Sequence, residues 1–166
     1  MPYQNLIRAS DIYAAVEPGA ARLPAVLYRA AEIFYDFNHF GEAERRFRQI
    51  MLAYPDNVVA EYATNLTIEG YLTKKNFEGV ELLTRKILEE SKANISPKFR
   101  ALLIKFKAGA MFKMAEGLAA EKRWEDAATL YLKLMAENPN NPYGDAALNN
   151  AAVAYEQEKR FESASR

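Results

Sequence analysis

The chain contains no cysteine, and this absence excludes several kinds of site. Its 166 residues also include a single histidine, His39. Without thiols there can be no disulfide, no cysteine nucleophile and no cysteine-ligated zinc. A histidine metal site or a serine–histidine–acid arrangement would have to use His39, which lies in a predicted turn. We therefore predict a protein that is not an enzyme, with no catalytic residues, no metal site, no cofactor and no small-molecule substrate.

Net charge and long apolar runs are missing as well. Lys plus Arg and Asp plus Glu each number 22, so no overall charge attracts nucleic acid or a membrane surface. No uncharged apolar run approaches the roughly 18 to 20 residues of a spanning helix. Gly109 and Gly117 are too far apart for a phosphate-binding loop. We predict no direct membrane insertion.

One stretch of the chain is locally basic. Seven Lys and Arg residues lie between Lys98 and Arg123, against only Glu116 and Glu121. Helical repeats that read RNA carry polar base-reading residues at a fixed place in each repeat. No such recurrence is visible here. We interpret the basic residues as the exposed face of a long helix and predict no nucleic-acid partner.

Glycine and proline are scarce, with seven of each, and most of them mark boundaries between helices. Strand alternation appears nowhere, whereas helical periodicity dominates. Asn57 is placed to cap one helix, and Ser96 followed by Pro97 is a strong start signal for another. The predicted helices cover about 5–17, 24–38, 42–54, 58–75, 77–92, 97–121, 124–137 and 143–158, with a short ninth helix after Phe161.

A fixed set of offsets recurs along the chain. From an aromatic residue, a small or β-branched residue follows at +3, a bulkier one at +7, an aliphatic one at +10 and a proline at +15. An aromatic residue or Leu also stands nine residues before the +3 position, as in Phe34, Tyr71, Leu118 and Tyr155. The sets are Phe40, Ala43, Phe47, Ile50 and Pro55; Trp124, Ala127, Tyr131, Leu134 and Pro139; the weaker Phe77, Val80, Thr84 and Ile87; Leu6, Ala9, Tyr13 and Val16; and Phe161 with Ala164.

These offsets resemble the tetratricopeptide repeat, best in the segments 24–55 and 108–139. The resemblance implies an all-α fold: a right-handed α-solenoid of antiparallel helix pairs with eight to nine helices. It also implies one repeat domain over 1–166, and we interpret the chain as a fragment of a longer repeat protein. The predicted units are a half-repeat at 1–23, repeats at 24–57, 58–94 and 95–141, and a truncated repeat at 142–166.

The middle repeat departs from the pattern. Thr84 stands where the repeat has a bulky residue, so we expect Thr84→Phe to be tolerated better than tryptophan at Ala43 or Ala127. The spacing is also irregular, because 37 residues separate Ala43 from Val80 and 47 separate Val80 from Ala127. The start signal at Ser96 places most of the extra residues at the beginning of a long helix.

The family binds proteins in a concave groove lined by the first helix of each pair. By resemblance, Glu32, Glu69 and Glu116 occupy one place in three successive repeats. Aromatic residues with spaced carboxylates and amides suit a protein or peptide ligand with apolar anchors and basic or hydrogen-bonding groups. The predicted groove residues are Tyr28, Glu32, Tyr35, Asp36, Tyr62, Asn65, Glu69, Leu72, Phe112, Glu116, Asn149 and Glu156.

Co-chaperone members of the family clamp a C-terminal carboxylate with lysine, arginine and asparagine. Only one of the matching positions here carries such a residue, so this ligand is not expected. The matching residues are Tyr28, Glu32, Leu66, Gly109 and Lys113.

The sequence leaves two settings for a binding module. The segment 138–164 is similar to the proline-linked units of bacterial envelope tetratricopeptide proteins. This similarity favours a scaffold or adaptor of a multiprotein envelope assembly, in the periplasm or cell envelope. The alternative is a regulatory or substrate-recruiting module of a larger enzyme.

Overall fold

A computed structural model describes the backbone of residues 3–90 and 95–164, and the side chains of residues 3–89 and 95–160. This part of the chain consists of helices and turns and contains no strand. The all-α prediction is confirmed, and the observed helix bounds lie within a few residues of the predicted ones. The eight helices are α1 (Gln4–Val16), α2 (Leu23–Asp36), α3 (Phe40–Ala53), α4 (Val58–Thr73), α5 (Phe77–Glu90), α6 (Pro97–Ala120), α7 (Trp124–Glu137) and α8 (Gly144–Ala164).

Two predicted helix starts are confirmed by side-chain caps. The Asn57 Oδ1 accepts the N–H of Val59 at 3.1 Å at the start of α4. The Ser96 Oγ accepts the N–H of Phe99 at 3.1 Å at the start of α6, where proline fills the first helical position. Each cap satisfies a backbone donor that has no partner within its helix.

Three turns between helices share one backbone conformation. A residue with positive φ stands two positions before the aromatic residue that opens the next helix. In two of these turns the last turn of the preceding helix closes in the same way, with His39 N–H donating to the Phe34 carbonyl at 2.8 Å and Arg123 N–H to the Leu118 carbonyl at 2.9 Å. This is a Schellman C-cap, which favours glycine or asparagine at the left-handed position. The left-handed residues are Asn38 (φ 62°), Lys75 (φ 55°) and Lys122 (φ 62°).

The predicted turn before Phe161 is wrong. Helix α8 continues through this point to Ala164 as one 21-residue helix. Lys159 occupies the place of Lys122 but is helical, because Glu158, Lys159 and Arg160 are good helix formers and no glycine, proline or asparagine interrupts them. The side chains of Phe161 and Ala164 lie outside the described residues.

The helices fall into two compact units, α1–α4 and α5–α8. In the first unit, α2 packs against α1 and α3, and α3 packs against α4. In the second, each helix packs against the next in sequence. Consecutive packing of this kind is that of an α-solenoid. The repeat borders that we assign from the sequence remain a prediction.

The residues at the recurring offsets of α3 and α7 lie in the cores of the two units. The +3, +7 and +10 positions of α3 and α7 are at most 2% exposed. Small alanines at +3 let the neighbouring helix approach, and the larger side chains fill the space beside them. These core residues are Ala43, Phe47, Ile50, Ala127, Tyr131 and Leu134.

In α1 the register is wrong. Leu6, Ala9 and Val16 are exposed, while Ile7 and Ser10 are buried. Helix α1 packs against α2 through the side that carries the buried pair. The predicted positions lie on another side of the same helix, because adjacent residues point about 100° apart.

Thr84 is buried, as the +7 position of the repeat implies. Its side chain is 0% exposed in the second unit, and its hydroxyl donates to the carbonyls of Val80 at 2.7 Å and Glu81 at 3.0 Å. The site therefore packs a small side chain closely and has its polar group satisfied. A larger side chain would overpack it.

Candidate functional site

Eight of the twelve predicted groove residues belong to the first unit, on α2 and α4. These two helices contact each other, so their side chains form one surface. The residues lie at helical spacings of three or four, which places them on one side of each helix. We define the α2–α4 face as Tyr28, Glu32, Tyr35 and Asp36 of α2 with Tyr62, Asn65, Glu69 and Leu72 of α4.

A pair of tyrosines forms the aromatic part of the face. The ring centroids of Tyr28 and Tyr62 are 6.1 Å apart, and Tyr28 also lies 5.8 Å from the buried ring of Phe47. Tyr62 is 51% exposed, while Tyr28 is partly buried. The core thus fixes one ring, which in turn supports the exposed one. Tilted pairs at this distance are favourable.

Tyr35 extends the aromatic surface along α2. Its ring packs on Phe40 at 5.3 Å and Phe47 at 6.4 Å. Gly70 of α4 lies next to this ring, and a Cβ added there would meet it at an ordinary contact distance of 4.0 Å. Tyr35 therefore contributes to packing as well as to the surface.

The carboxylates of the face lie beside the tyrosines. Glu32 forms an ion pair with Arg29, one turn earlier on α2. Among the described residues, Asp36 and Glu69 have no cationic partner. Burial raises the pKa of Tyr28, and the charges of Glu32 and Asp36 raise it further. Burial likewise raises the pKa of Tyr35, with added contributions from Glu69 and Asp36. The face is electrically negative.

Asn65 has an unsatisfied acceptor at the middle of α4. Its Oδ1 is buried and has no hydrogen-bond partner among the described residues. A buried polar atom in this state costs about 1 to 3 kcal/mol. Asn65 lies three residues after Tyr62 and four before Glu69, so all three are on one side of the helix. Leu72, 37% exposed, follows on the same side.

The four predicted residues of the second unit do not form an equivalent surface. Phe112 is 8% exposed and packs in the core, 5.4 Å from Tyr131 and stacked on Tyr143 at 5.2 Å. Glu116 forms an ion pair with Lys113 at 2.7 Å. Asn149 and Glu156 are exposed on α8. Among the predicted groove residues, the ring of the second unit is buried, whereas Tyr62 of the first unit is exposed on the same face as Asp36 and Glu69.

Glu32, Glu69 and Glu116 occupy one place in the repeat, but sequence reasoning did not predict that two of them form ion pairs. Glu32 and Glu116 each pair with a residue three positions earlier, while Glu69 does not. The spacing of three residues on a helix predicts such pairs. That local signal could have found them.

The described residues contain no group of three or more His, Asp or Glu side chains that could hold a metal. The His39 Nε2 lies 3.3 Å from the Tyr3 hydroxyl. Two carboxylates near that end of the unit, Asp11 and Glu42, both bind Arg46. No helix in the described ranges is long and apolar enough to cross a membrane.

The basic residues of α6 and the turn after it are partly neutralised. Lys107 binds Glu137 at 2.7 Å, and Lys113 binds Glu116 at the same distance. Arg123, just after the helix, binds Asp126 at 2.7 Å. These pairs reduce the positive charge of the long helix.

Comparison with known families identifies one segment of the chain. Residues 109–141 match the family described as Tetratricopeptide repeat. No curated protein matches the chain. The matched residues cover the second half of α6 and all of α7, the helix pair whose core contains Ala127, Tyr131 and Leu134. Residues 109–141 are thus similar to a tetratricopeptide repeat, and the all-helical packing of the described residues is consistent with a repeat protein of that type.

Proposed function

We propose that this protein binds a partner protein through the α2–α4 face and thereby acts as a non-catalytic scaffold or adaptor. A tetratricopeptide repeat is a protein-interaction module. The observation that carries the choice of surface is the exposed ring of Tyr62 held against Tyr28. Tyrosine is enriched among the residues that dominate binding energy, because it buries a large rigid ring and keeps a polar end.

Three further features support this choice of surface. Asp36 and Glu69 lie near Tyr35 on this face, and among the described residues neither forms an ion pair. The buried Asn65 acceptor has no hydrogen-bond partner in the part of the chain that the structure describes. In the second unit, the corresponding Phe112 is a core residue and Glu116 is already paired. We favour a place in a bacterial envelope assembly, on the similarity of segment 138–164 to envelope repeat proteins.

Site-specific photocrosslinking tests the proposed surface. A photoreactive phenylalanine analogue replaces Tyr62, which is 51% exposed, so the fold should tolerate it. The matched control places the same analogue at Leu148, which is 49% exposed on α8. We expect a discrete crosslinked partner from Tyr62 in native lysate and none from Leu148.

An alanine variant tests whether capture of the partner depends on the Tyr62 ring. Tyr62→Ala removes the exposed ring and should reduce capture of the crosslinked partner at least about tenfold, as expected for a residue that dominates an interface. Leu148→Ala should leave capture unchanged. Equal capture by both variants would place the interface outside the α2–α4 face.

A further inference from the structure

Arg46 of the first unit is held by an aromatic ring and two carboxylates. The Arg46 guanidinium lies over the Phe34 ring, 5.0 Å from its centroid. Its Nη1 donates to Asp11 Oδ1 at 2.8 Å, and its Nε donates to Glu42 Oε1 at 2.9 Å. The side chain is only 14% exposed. Ring stacking and charge-assisted hydrogen bonds together fix this cation.

The α2–α4 face has the same components, although two of its carboxylates hold no cation among the described residues. Tyr28 and Tyr62 supply the rings, 6.1 Å apart. Asp36 lies close enough to Tyr28 and Tyr35 to raise the pKa of both, and Glu69 does the same for Tyr35. Within the described ranges no Lys or Arg pairs with these two carboxylates. Arg29 forms its ion pair with Glu32, and the charge of Asp36 contributes less to the raised pKa of Arg29 than Glu32 does.

The unsatisfied amide of Asn65 is a separate sign that the free face is incomplete. Its Oδ1 is shielded from solvent and accepts no hydrogen bond from any described residue. Rotation of the side chain toward the face would let this oxygen accept a donor from a bound chain. A basic side chain is rich in donors and carries no acceptor, which matches a surface that presents only carboxylates, hydroxyls and one amide.

Building on the proposed function, we infer that the partner presents a basic segment, with an arginine held beside Tyr35 and its guanidinium bonded to Asp36 and Glu69. Arginine fits better than lysine, because its planar group stacks on a ring and donates to carboxylates at the same time. Because the protein has no net charge, its attraction for a basic segment comes from the local charge of this face.

A displayed random peptide library provides the probe. The whole chain is panned against the library, and the enriched peptides are compared with those obtained on the double variant Asp36→Asn and Glu69→Gln. These substitutions keep side-chain shape and remove both charges. A matched variant, Glu89→Gln with Glu121→Gln, removes two exposed charges from the second unit. Circular dichroism confirms that all three proteins are folded.

We expect Arg-rich peptides from the parent and from the matched variant. Their affinity for the double variant should fall about tenfold or more, since each lost bond is charge-assisted. Substituting lysine for arginine in an enriched peptide should weaken its binding to the protein. Raising the salt concentration should weaken this binding as well.

The other outcomes separate the two proposals. Enriched peptides that lack basic residues but lose binding with Tyr62→Ala would overturn the basic-partner inference and leave the α2–α4 face as the binding surface. Peptides that bind equally well to the Tyr62→Ala and charge variants would overturn both proposals. Failure to enrich any peptide would overturn the inference, while crosslinking at Tyr62 would still decide the proposed function.

Discussion

At the scale of single residues, the alanine of each repeat sets the distance between two helices. Ala43 is 1% exposed in α3 and Ala127 is 0% exposed in α7. We expect Ala43→Trp and Ala127→Trp each to lower the free energy of unfolding by about 1 to 3 kcal/mol or more, because the core has no room for an indole. Urea denaturation measures the change. Ala136→Trp, at an exposed position of α7, is the control. An unchanged stability in both core variants would contradict the register.

Thr84 tests whether the middle repeat obeys the family pattern or its own packing. The pattern predicts that a bulky residue fits there, whereas the structure shows a fully buried threonine with its hydroxyl satisfied. We expect Thr84→Phe to destabilise by about 1 to 3 kcal/mol. Thr84→Val should cost less, because it keeps the volume and removes the hydroxyl that bonds the helix backbone. A more stable phenylalanine variant would show that the pattern predicts this position better than the packing does.

Glu42 gives the first unit a defined pH dependence. Hydrogen bonds from Arg45 and Arg46 lower the pKa of this carboxyl from 4.5 to about 2, against the opposing effect of burial. A lowered folded-state pKa stabilises the protein above the unfolded value, and this contribution is lost as the pH falls from about 4.5 to 2. Because Glu42 is partly exposed, the effect should be about 1 kcal/mol or less.

Comparison of Glu42→Gln with the parent isolates the contribution of this carboxylate to the free energy of unfolding. The variant should be less stable at pH 7 and should lose less stability between pH 4.5 and 2. Glu89→Gln, an exposed change in α5, should follow the parent. Parallel pH profiles for the parent and Glu42→Gln would refute the role of this carboxyl.

At the scale of elements, the turns between helices hold non-glycine residues in a left-handed conformation that glycine would adopt without strain. Lys122 adopts φ 62° at the end of α6, a conformation that a side chain disfavours. We expect Lys122→Gly to raise the free energy of unfolding by about 0.5 to 1 kcal/mol. Lys133→Gly, within α7, should lower it by about 1 kcal/mol. Thermal melts of both variants check the opposite signs, and a loss of stability in both would mean that the turn does not need the left-handed conformation.

At the scale of the whole molecule, the chain divides into two compact units with separate cores. In a repeat fold, stability comes from each helix pair and its immediate neighbours. We therefore expect residues 75–166, expressed alone, to remain helical and to melt cooperatively. Circular dichroism and a thermal melt test this. A fragment without cooperative melting would show that the second unit depends on the rest of the chain.

The sequence by itself determined most of the helical architecture. Helix caps at Asn57 and Ser96, and the buried offsets of α3 and α7, depend on interactions within a few residues or on a repeating pattern. These signals are local and can be read without tertiary structure. Aromatic and acidic side chains at helical spacing also led to the choice of the α2–α4 face, whose role in binding stays a prediction.

Only the tertiary structure decided which of the predicted positions are accessible. Phe112 and Tyr62 both carry a predicted groove ring, yet Tyr143 covers one and the other is half exposed. The same holds for the exposed Leu6 and the buried Thr84. Exposure depends on neighbours from other helices, and ion pairs depend on which side chains those helices bring together. Such contacts are set by packing between elements distant in sequence, so a local pattern does not specify them.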